Sequence, residues 1–192
     1  TPGGSSSASD DYLREQMISM SAPLPLVVSM SDLAASGGYY LAMAGDVIVA
    51  HPGTLTGSIG VYTGKFVTGG TFDRLGANIE AVSQGRRAEM YSQDRPFTDD
   101  ERQRVLDSMQ ATYDLFVERV AESRHTTPER IDQVAQGRVW TGHQAREIGL
   151  VDDLGGLRVA LAGRGILAAM LAPSRLFRTG ELLAHMPYVF VR

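Results

Sequence analysis

A single serine, Ser36, stands among small residues in the stretch DLAASGGYYLAMAG, residues 32–45. The alanines before it and the glycines after it leave the backbone open to close approach by another chain. A serine hydroxyl becomes a useful nucleophile when a base removes its proton and when preorganised donors stabilise the oxyanion that forms. The stretch therefore makes Ser36 a candidate nucleophile for acyl transfer, and that chemistry would require a base from elsewhere.

The elements around Ser36 are a buried strand before it and a helix after it. Residues 23–30, PLPLVVSM, form a short apolar run and predict the strand, whereas residues 36–44 are rich in Ala, Leu and Met and predict the helix. The N–H of Gly37 then lies in the first helical turn, where the helix dipole favours negative charge. The turn at residues 1–4, TPGG, is a second set of exposed N–H groups that could supply the other oxyanion donor.

A simpler role for Ser36 stays open at this point. A serine at the start of a helix is most often an N-cap, and Gly-Gly after a strand is most often a turn. The pattern also departs from the G-x-S-x-G elbow of α/β-hydrolases, because Ala34 occupies the first glycine position. Tyr39 and Tyr40 supply apolar surface near the serine and are candidate substrate-binding residues, which fits an extended apolar peptide with a small residue before the cut.

Few side chains can act as the base. The four histidines lack the context of a triad base and show no metal-ligand spacing such as H-E-x-x-H, so no metal site is predicted; they are His51, His125, His143 and His185. Of the 18 basic residues Lys65 is the single lysine, which leaves 17 arginines. The guanidinium group of arginine keeps its proton far above neutral pH, so arginine cannot serve as a general base.

Composition narrows the class of protein. The 192 residues suffice for one domain with a core, and the net charge of −4 gives no basic surface for nucleic acid. The chain has no cysteine, which excludes thiol chemistry, disulfides and thiolate metal sites. No apolar run reaches the ~18 residues of a spanning helix, and nothing in the sequence predicts a cofactor.

Strands alternating with helices predict an α/β domain with largely parallel pairing. Beyond the elements around Ser36, a strand is expected at residues 46–50 and a loop at residues 51–60. The remaining expectations are helices at 10–21, 71–75, 99–122, after Thr127-Pro128 and after Thr141, with capping boxes at Thr98/Glu101 and Thr141/Gln144, and a strand at 78–82.

The stretch LPLVVSMSDLAASGGYYLAMAGDVIVAHPGTLTGSIGV, residues 24–61, resembles the signal peptide peptidase A family of serine peptidases, also called protease IV. The resemblance continues through residues 124–157, RHTTPERIDQVAQGRVWTGHQAREIGLVDDLGGL, which look like the C-terminal half of the tandem-type members. It implies a ClpP/crotonase-like α/β domain with stacked short parallel strands and flanking helices. We expect residues 1–160 to be the serine-bearing half-domain, truncated at its N-terminus, and residues 161–192 to be a tail of uncertain structure.

The resemblance also implies roles for single residues. Ser36 would be the nucleophile of a Ser–Lys dyad, with oxyanion donors at Gly37 and Gly4. Ser58, in TGSIG, matches a position whose hydroxyl orients the lysine; its simpler role is a loop residue that bonds its own backbone. The position expected to hold the lysine in single-domain relatives is Ala88 here.

Two sources of the lysine stay open: Lys65, or a missing N-terminal half that completes the site. We prefer the second and predict that the isolated chain is inactive. The resemblance implies cleaved signal peptides as substrates, a homo-oligomer, and a full-length protein associated with the inner membrane and facing the periplasm. The alternatives are a non-catalytic scaffold or peptide-binding half with Ser36 idle, and an acyl-CoA hydratase or thioesterase, which needs a carboxylate base; Asp32 alone lies in the small-residue stretch.

Overall fold

A computed structural model describes residues 15–17, 19, 26–77, 80–162 and 188–191. The chain divides into two compact units, one of Thr1–Gly60 with Leu115–Arg192 and one of Val61–Asp114. The strands are β1 (Val27–Met30), β2 (Leu33–Ala35), β3 (Val47–Ala50), β4 (Leu55–Gly57), β5 (Val139–Thr141), β6 (Asp153–Leu154) and β7 (Tyr188–Val191). The helices are α1 (Gly37–Ala42), α2 (Gly69–Arg74), α3 (Asp99–Ser123), α4 (Pro128–Asp132), α5 (Gly142–Glu147) and α6 (Leu157–Ala162).

The first unit contains a parallel four-stranded sheet in the order β6-β3-β1-β7. Its two central strands have the sequences VVSM and VIVA, whose apolar runs suit strands covered on both faces. Val28 and Ile48 are paired across these strands and both are fully buried. The core of this unit therefore lies around β1 and β3.

A smaller sheet in the same unit has the order β2-β4-β5, with β2 parallel and β5 antiparallel to β4. Alternation sets its two faces: Ala34 and Thr56 are buried partners, whereas Leu33 and Leu55 are paired and exposed. The hydroxyl of Thr56 donates to the carbonyl oxygen of Ala34 at 2.7 Å. This bond fixes β2 against β4 two residues before Ser36.

The predicted α/β class is confirmed, as are the strands at β1 and β3 and the long helix α3. Both capping boxes form: Glu101 accepts the N–H of Thr98 at 2.9 Å, and Gln144 accepts the N–H of Thr141 at 3.0 Å. The loop expected at residues 51–60 is partly wrong because it contains β4. Residues 80–82 form no strand, and the rest of that predicted strand, residues 78 and 79, lies outside the described residues.

Candidate functional site

Ser36 lies between β2, which ends at Ala35, and α1, which begins at Gly37. Its φ is 54° and its ψ is −122°, a backbone conformation that residues with a Cβ rarely adopt. Such a conformation costs on the order of 1–3 kcal/mol and persists where the surroundings impose it. The Ser36 N–H donates to the carbonyl oxygen of Gly57 at 2.8 Å, and the Ser36 carbonyl accepts from Tyr40 N–H at 2.9 Å.

The simpler role for Ser36 does not match this geometry. The residue occupies the N-cap position of α1, but its side chain makes no capping hydrogen bond. A serine that caps a helix adopts an extended backbone and accepts an N–H from the first turn. Ser36 instead sits on a sharp strand-to-helix turn, the arrangement that presents the nucleophile at the end of a sheet in α/β-hydrolases.

Ser58 follows the neighbouring strand in the same way. Ala35 and Gly57 are register partners at the ends of β2 and β4, so Ser36 and Ser58 leave two adjacent parallel strands at the same edge. Adjacent strands lie about 4.8 Å apart, which places the two backbones side by side. Ser58 also has a left-handed φ, 49°, and its N–H donates to the carbonyl oxygen of Arg138 at 2.7 Å. The two predicted serines are therefore brought together.

Close packing explains two of the glycines near these serines but does not explain Gly38. A Cβ at Gly57 would lie 2.8 Å from Cδ1 of Trp140, and one at Gly60 would lie 2.8 Å from Cα of Gly137. The residues before and in β5 thus pack closely against the loop that carries Ser58. Among the residues that the structure describes, a Cβ at Gly38 would meet only the Ala34 Cβ, at 3.9 Å. The described residues around position 38 therefore leave room for a side-chain Cβ there.

One of the two predicted oxyanion donors can be placed. Gly37 is the first residue of α1, and the first N–H groups of a helix have no partner within it. This N–H belongs to the residue directly after Ser36. It therefore suits a donor to the oxyanion that would form on a substrate carbonyl attacked by the Ser36 hydroxyl. Gly4 lies outside the described residues.

Tyr39 and Tyr40 lie in the core, contrary to the expectation that they line a substrate surface. Tyr39 is 0% exposed and Tyr40 is 3% exposed. The Tyr39 hydroxyl donates to the carbonyl oxygen of Leu150 at 2.8 Å, and the Tyr40 ring packs on Phe116 with centroids 5.0 Å apart. Both rings fall on the inner face of α1, which the sequence pattern did not reveal because the whole stretch is apolar.

Lys65 belongs to the second unit and has two partners there. Its Nζ donates to the carbonyl oxygen of Met90 at 2.9 Å and lies 4.4 Å from the centre of the Phe97 ring. Of the neighbouring arginines, Arg87 makes two 2.7 Å bonds to the Asp100 carboxylate. These contacts give Lys65 and Arg87 structural roles.

The described histidines also have ordinary surroundings. The His51 ring lies against Gly156, whose Cβ would be 3.0 Å from it, and Nδ1 of His143 is 3.6 Å from the Glu147 carboxylate. His125 ends a helix with a left-handed φ of 51°, and His185 lies outside the described residues. Within the described part of the chain, no group of three or more His, Cys, Asp or Glu side chains could hold a metal ion.

Comparison with known proteins identifies the family of this chain. The model of Peptidase family S49 matches residues 19–169. The chain belongs to this peptidase family. The S49 chain is 44% identical over 163 residues to "Serine protease SPPA, chloroplastic" of Arabidopsis thaliana, with 84% of the chain and 24% of that protein covered. It is 38% identical over 170 residues to "Protease 4" of Salmonella typhi, with 88% of the chain and 27% of that protein covered.

The S49 chain thus spans about a quarter of the length of these two relatives. Among solved structures it is similar to a membrane-bound stomatin-specific protease, at 12% identity and a TM-score of 0.49, over 82% of this chain and 62% of that one. A similarity at this level carries no argument about function. No helix among the described residues of the S49 chain has the length and apolar character needed to cross a bilayer.

Proposed function

We propose that the chain is the serine-bearing part of a serine endopeptidase, with Ser36 as the nucleophile. The observation that carries the proposal is the backbone of Ser36, held at a φ of 54° while its side chain caps nothing. Strained residues of this kind cluster at active sites, where the strain is part of the mechanism. Membership of family S49 supports the same conclusion.

In this mechanism the Ser36 oxygen attacks the carbonyl carbon of the scissile peptide bond as a base accepts its proton. The negative charge that develops on the carbonyl oxygen is stabilised by the N–H of Gly37 and, by resemblance, that of Gly4. The protonated base then gives its proton to the leaving amine, which leaves an acyl-enzyme ester on Ser36. Water attacks the ester carbonyl as the same base accepts one of its protons. The base then gives that proton to the Ser36 oxygen as the bond to the acyl group breaks, which releases the carboxylic acid and restores the hydroxyl.

The base is proposed to be a lysine from outside this chain, supplied by an N-terminal half-domain. Lysine can act at neutral pH when burial and neighbours lower its pKa from about 10.4 towards 7–8. The Lys65 amine already has the Met90 carbonyl and the Phe97 ring as partners, which favours a packing role for it. Ser58, beside Ser36 at the strand ends, is proposed to hold the incoming ammonium with its hydroxyl.

Apolar peptides, such as cleaved signal peptides, are the proposed substrates, since the family resemblance implies them. A homo-oligomer and membrane association of the full-length protein, through segments beyond this chain, stay predictions on the same ground. The second candidate is a self-contained peptidase that uses Lys65, and the third is a non-catalytic half that keeps Ser36 only for its fold.

The test is cleavage of a fluorogenic apolar peptide by the complete native protein and by the 192-residue chain. We expect Ser36→Ala to lower kcat of the complete protein more than about 10⁴-fold, with Ser31→Ala, in the loop before β2, as the unaffected control. We expect the isolated chain to be inactive. Serine-dependent cleavage by that chain, lost in Lys65→Met, would establish the self-contained peptidase instead, and full activity of Ser36→Ala would establish the non-catalytic role.

A further inference from the structure

The strained turn at Ser36 needs anchors, because an isolated strand-to-helix connection would relax. Helix α1 and the residue that follows it are each held by one side-chain hydrogen bond to a distant segment. The Tyr39 hydroxyl donates to the Leu150 carbonyl at 2.8 Å, and the Ser123 hydroxyl donates to the Met43 carbonyl at 2.8 Å. The first anchor lies one helical turn after the serine and the second lies at the other end of α1.

The acceptor of the Tyr39 hydroxyl lies in a braced turn. Gly149 ends α5 with a φ of 84°, and its carbonyl accepts Nε of Arg124 at 3.0 Å. The other two guanidinium nitrogens of Arg124 donate to the Asp152 carboxylate at 3.1 and 2.5 Å. The Arg124 side chain therefore forms hydrogen bonds with both ends of residues 149–152, which we call the anchor turn.

The anchor turn is also joined to the large sheet. The Asp152 carboxylate accepts the N–H of Ile48 at 2.7 Å, and the Asp152 N–H donates to the Ile48 carbonyl at 2.9 Å. Ile48 is fully buried in β3. The Leu150 carbonyl thus sits in a turn that is fixed to the core, and it gives the Tyr39 hydroxyl an acceptor with little freedom to move.

Tyr39 suits a permanent anchor. Its ring is fully buried, and this burial raises the pKa of its hydroxyl, an effect that the nearby Arg124 charge offsets only in part. The group therefore stays a neutral donor over the pH range in which peptidases work. Phenylalanine at this position would keep the ring and remove only the donor, which makes the hydrogen bond separable from the packing.

We propose that Tyr39 is a positioning residue for the nucleophile: its bond to the anchor turn sets where α1 begins and so holds Ser36 and the Gly37 N–H in register with the substrate. The inference rests on the proposed function. Residues three apart on a helix share a face, so a shift of Tyr39 moves Ser36 with it. A displacement of a catalytic group by about 1 Å can cost 10²-fold in rate.

The test is steady-state cleavage of the fluorogenic peptide by the complete native protein carrying Tyr39→Phe. We expect kcat to fall about 10-fold or more while KM changes less than about twofold, since the loss falls on the transition state. Val105→Ala is the control: it shortens a buried side chain of the second unit, which does not contain α1, and we expect it to lower the Tm with kcat unchanged. Arg124→Lys repeats the test through the anchor turn, because lysine cannot hold both Gly149 and Asp152.

The outcomes separate this inference from the function on which it rests. If Tyr39→Phe and Arg124→Lys lower the Tm as the control does and leave kcat unchanged, Tyr39 is only a core residue and the inference is overturned. If Ser36→Ala keeps full activity, the proposed function itself fails. A lowered kcat in both anchor variants, with an inactive Ser36→Ala, is the result that supports positioning.

Discussion

The backbone of Ser36 stores strain that a single substitution should release. At a φ of 54° and a ψ of −122° the Cβ of Ser36 is the source of the strain, because glycine alone reaches such conformations freely. Ser36→Gly should therefore stabilise the chain, while Ser36→Ala keeps the Cβ and the strain. Neither variant loses a capping bond, since the hydroxyl makes none.

The magnitude follows from two opposing terms. Release of the strain is worth on the order of 1–3 kcal/mol. Glycine also makes the unfolded chain more flexible, which costs about 0.4–1 kcal/mol. From the middle of the two ranges, about 2 and 0.7 kcal/mol, we expect Ser36→Gly to have a free energy of unfolding about 1.3 kcal/mol above that of Ser36→Ala, a Tm difference of about 3–5 °C for a chain of this size.

The assay is urea unfolding of the 192-residue chain followed by the fluorescence of Trp140, the single tryptophan, which lies in β5. Ser31→Gly is the matched control, because Ser31 is a described serine whose φ is not left-handed. There glycine should destabilise by about 0.4–1 kcal/mol. If Ser36→Gly proves no more stable than Ser36→Ala, the serine turn is unstrained and the argument for catalysis loses its main support.

Two further substitutions test the framework. Thr56→Val should lower the free energy of unfolding by about 1–3 kcal/mol in urea titrations, because the buried carbonyl of Ala34 loses a donor at 2.7 Å. Thr63→Val, at an exposed position, is the control and should change that free energy by less than about 0.5 kcal/mol. Equal effects of the two substitutions would contradict a stabilising role for the Thr56 hydrogen bond. The bidentate bond from Arg95, with the Thr98 N–H, lowers the pKa of Glu101 from 4.5 to about 2. The stabilisation by the ionised Glu101 carboxylate should therefore be complete above pH 4.5 and lost as the pH falls towards 2. The urea midpoint of Glu101→Gln should change less with pH over that range than the midpoint of the unmodified chain.

Local chemistry made several features of this protein predictable. The starts of α4 and α5 follow from Thr127-Pro128 and from the Thr141/Gln144 capping box, since these caps are bonds between residues three apart. The start of α3 follows from Thr98 and Glu101 in the same way. The helix that follows Ser36 was also readable from its Ala, Leu and Met content, whereas β2, the strand that directly precedes Ser36, was not.

The short strands β2 and β4 were not predictable. Each has three residues, and their sequences LAA and LTG contain small residues that suit turns equally well. Their pairing, which brings Ser36 beside Ser58, depends on a register between segments some 22 residues apart. The glycine at position 57 is explained by Trp140, a residue far along the chain that no local pattern connects with it.

The sequence by itself determined the class of fold, the starts of α3, α4 and α5 and the identity of the candidate nucleophile, because these depend on residues a few positions apart. Only the tertiary structure decided that the serine is strained rather than capping, that Tyr39 anchors α1 from the core, and that the Lys65 amine has partners of its own. These properties arise from contacts between distant segments, whose geometry is fixed when the sheets pack and not before.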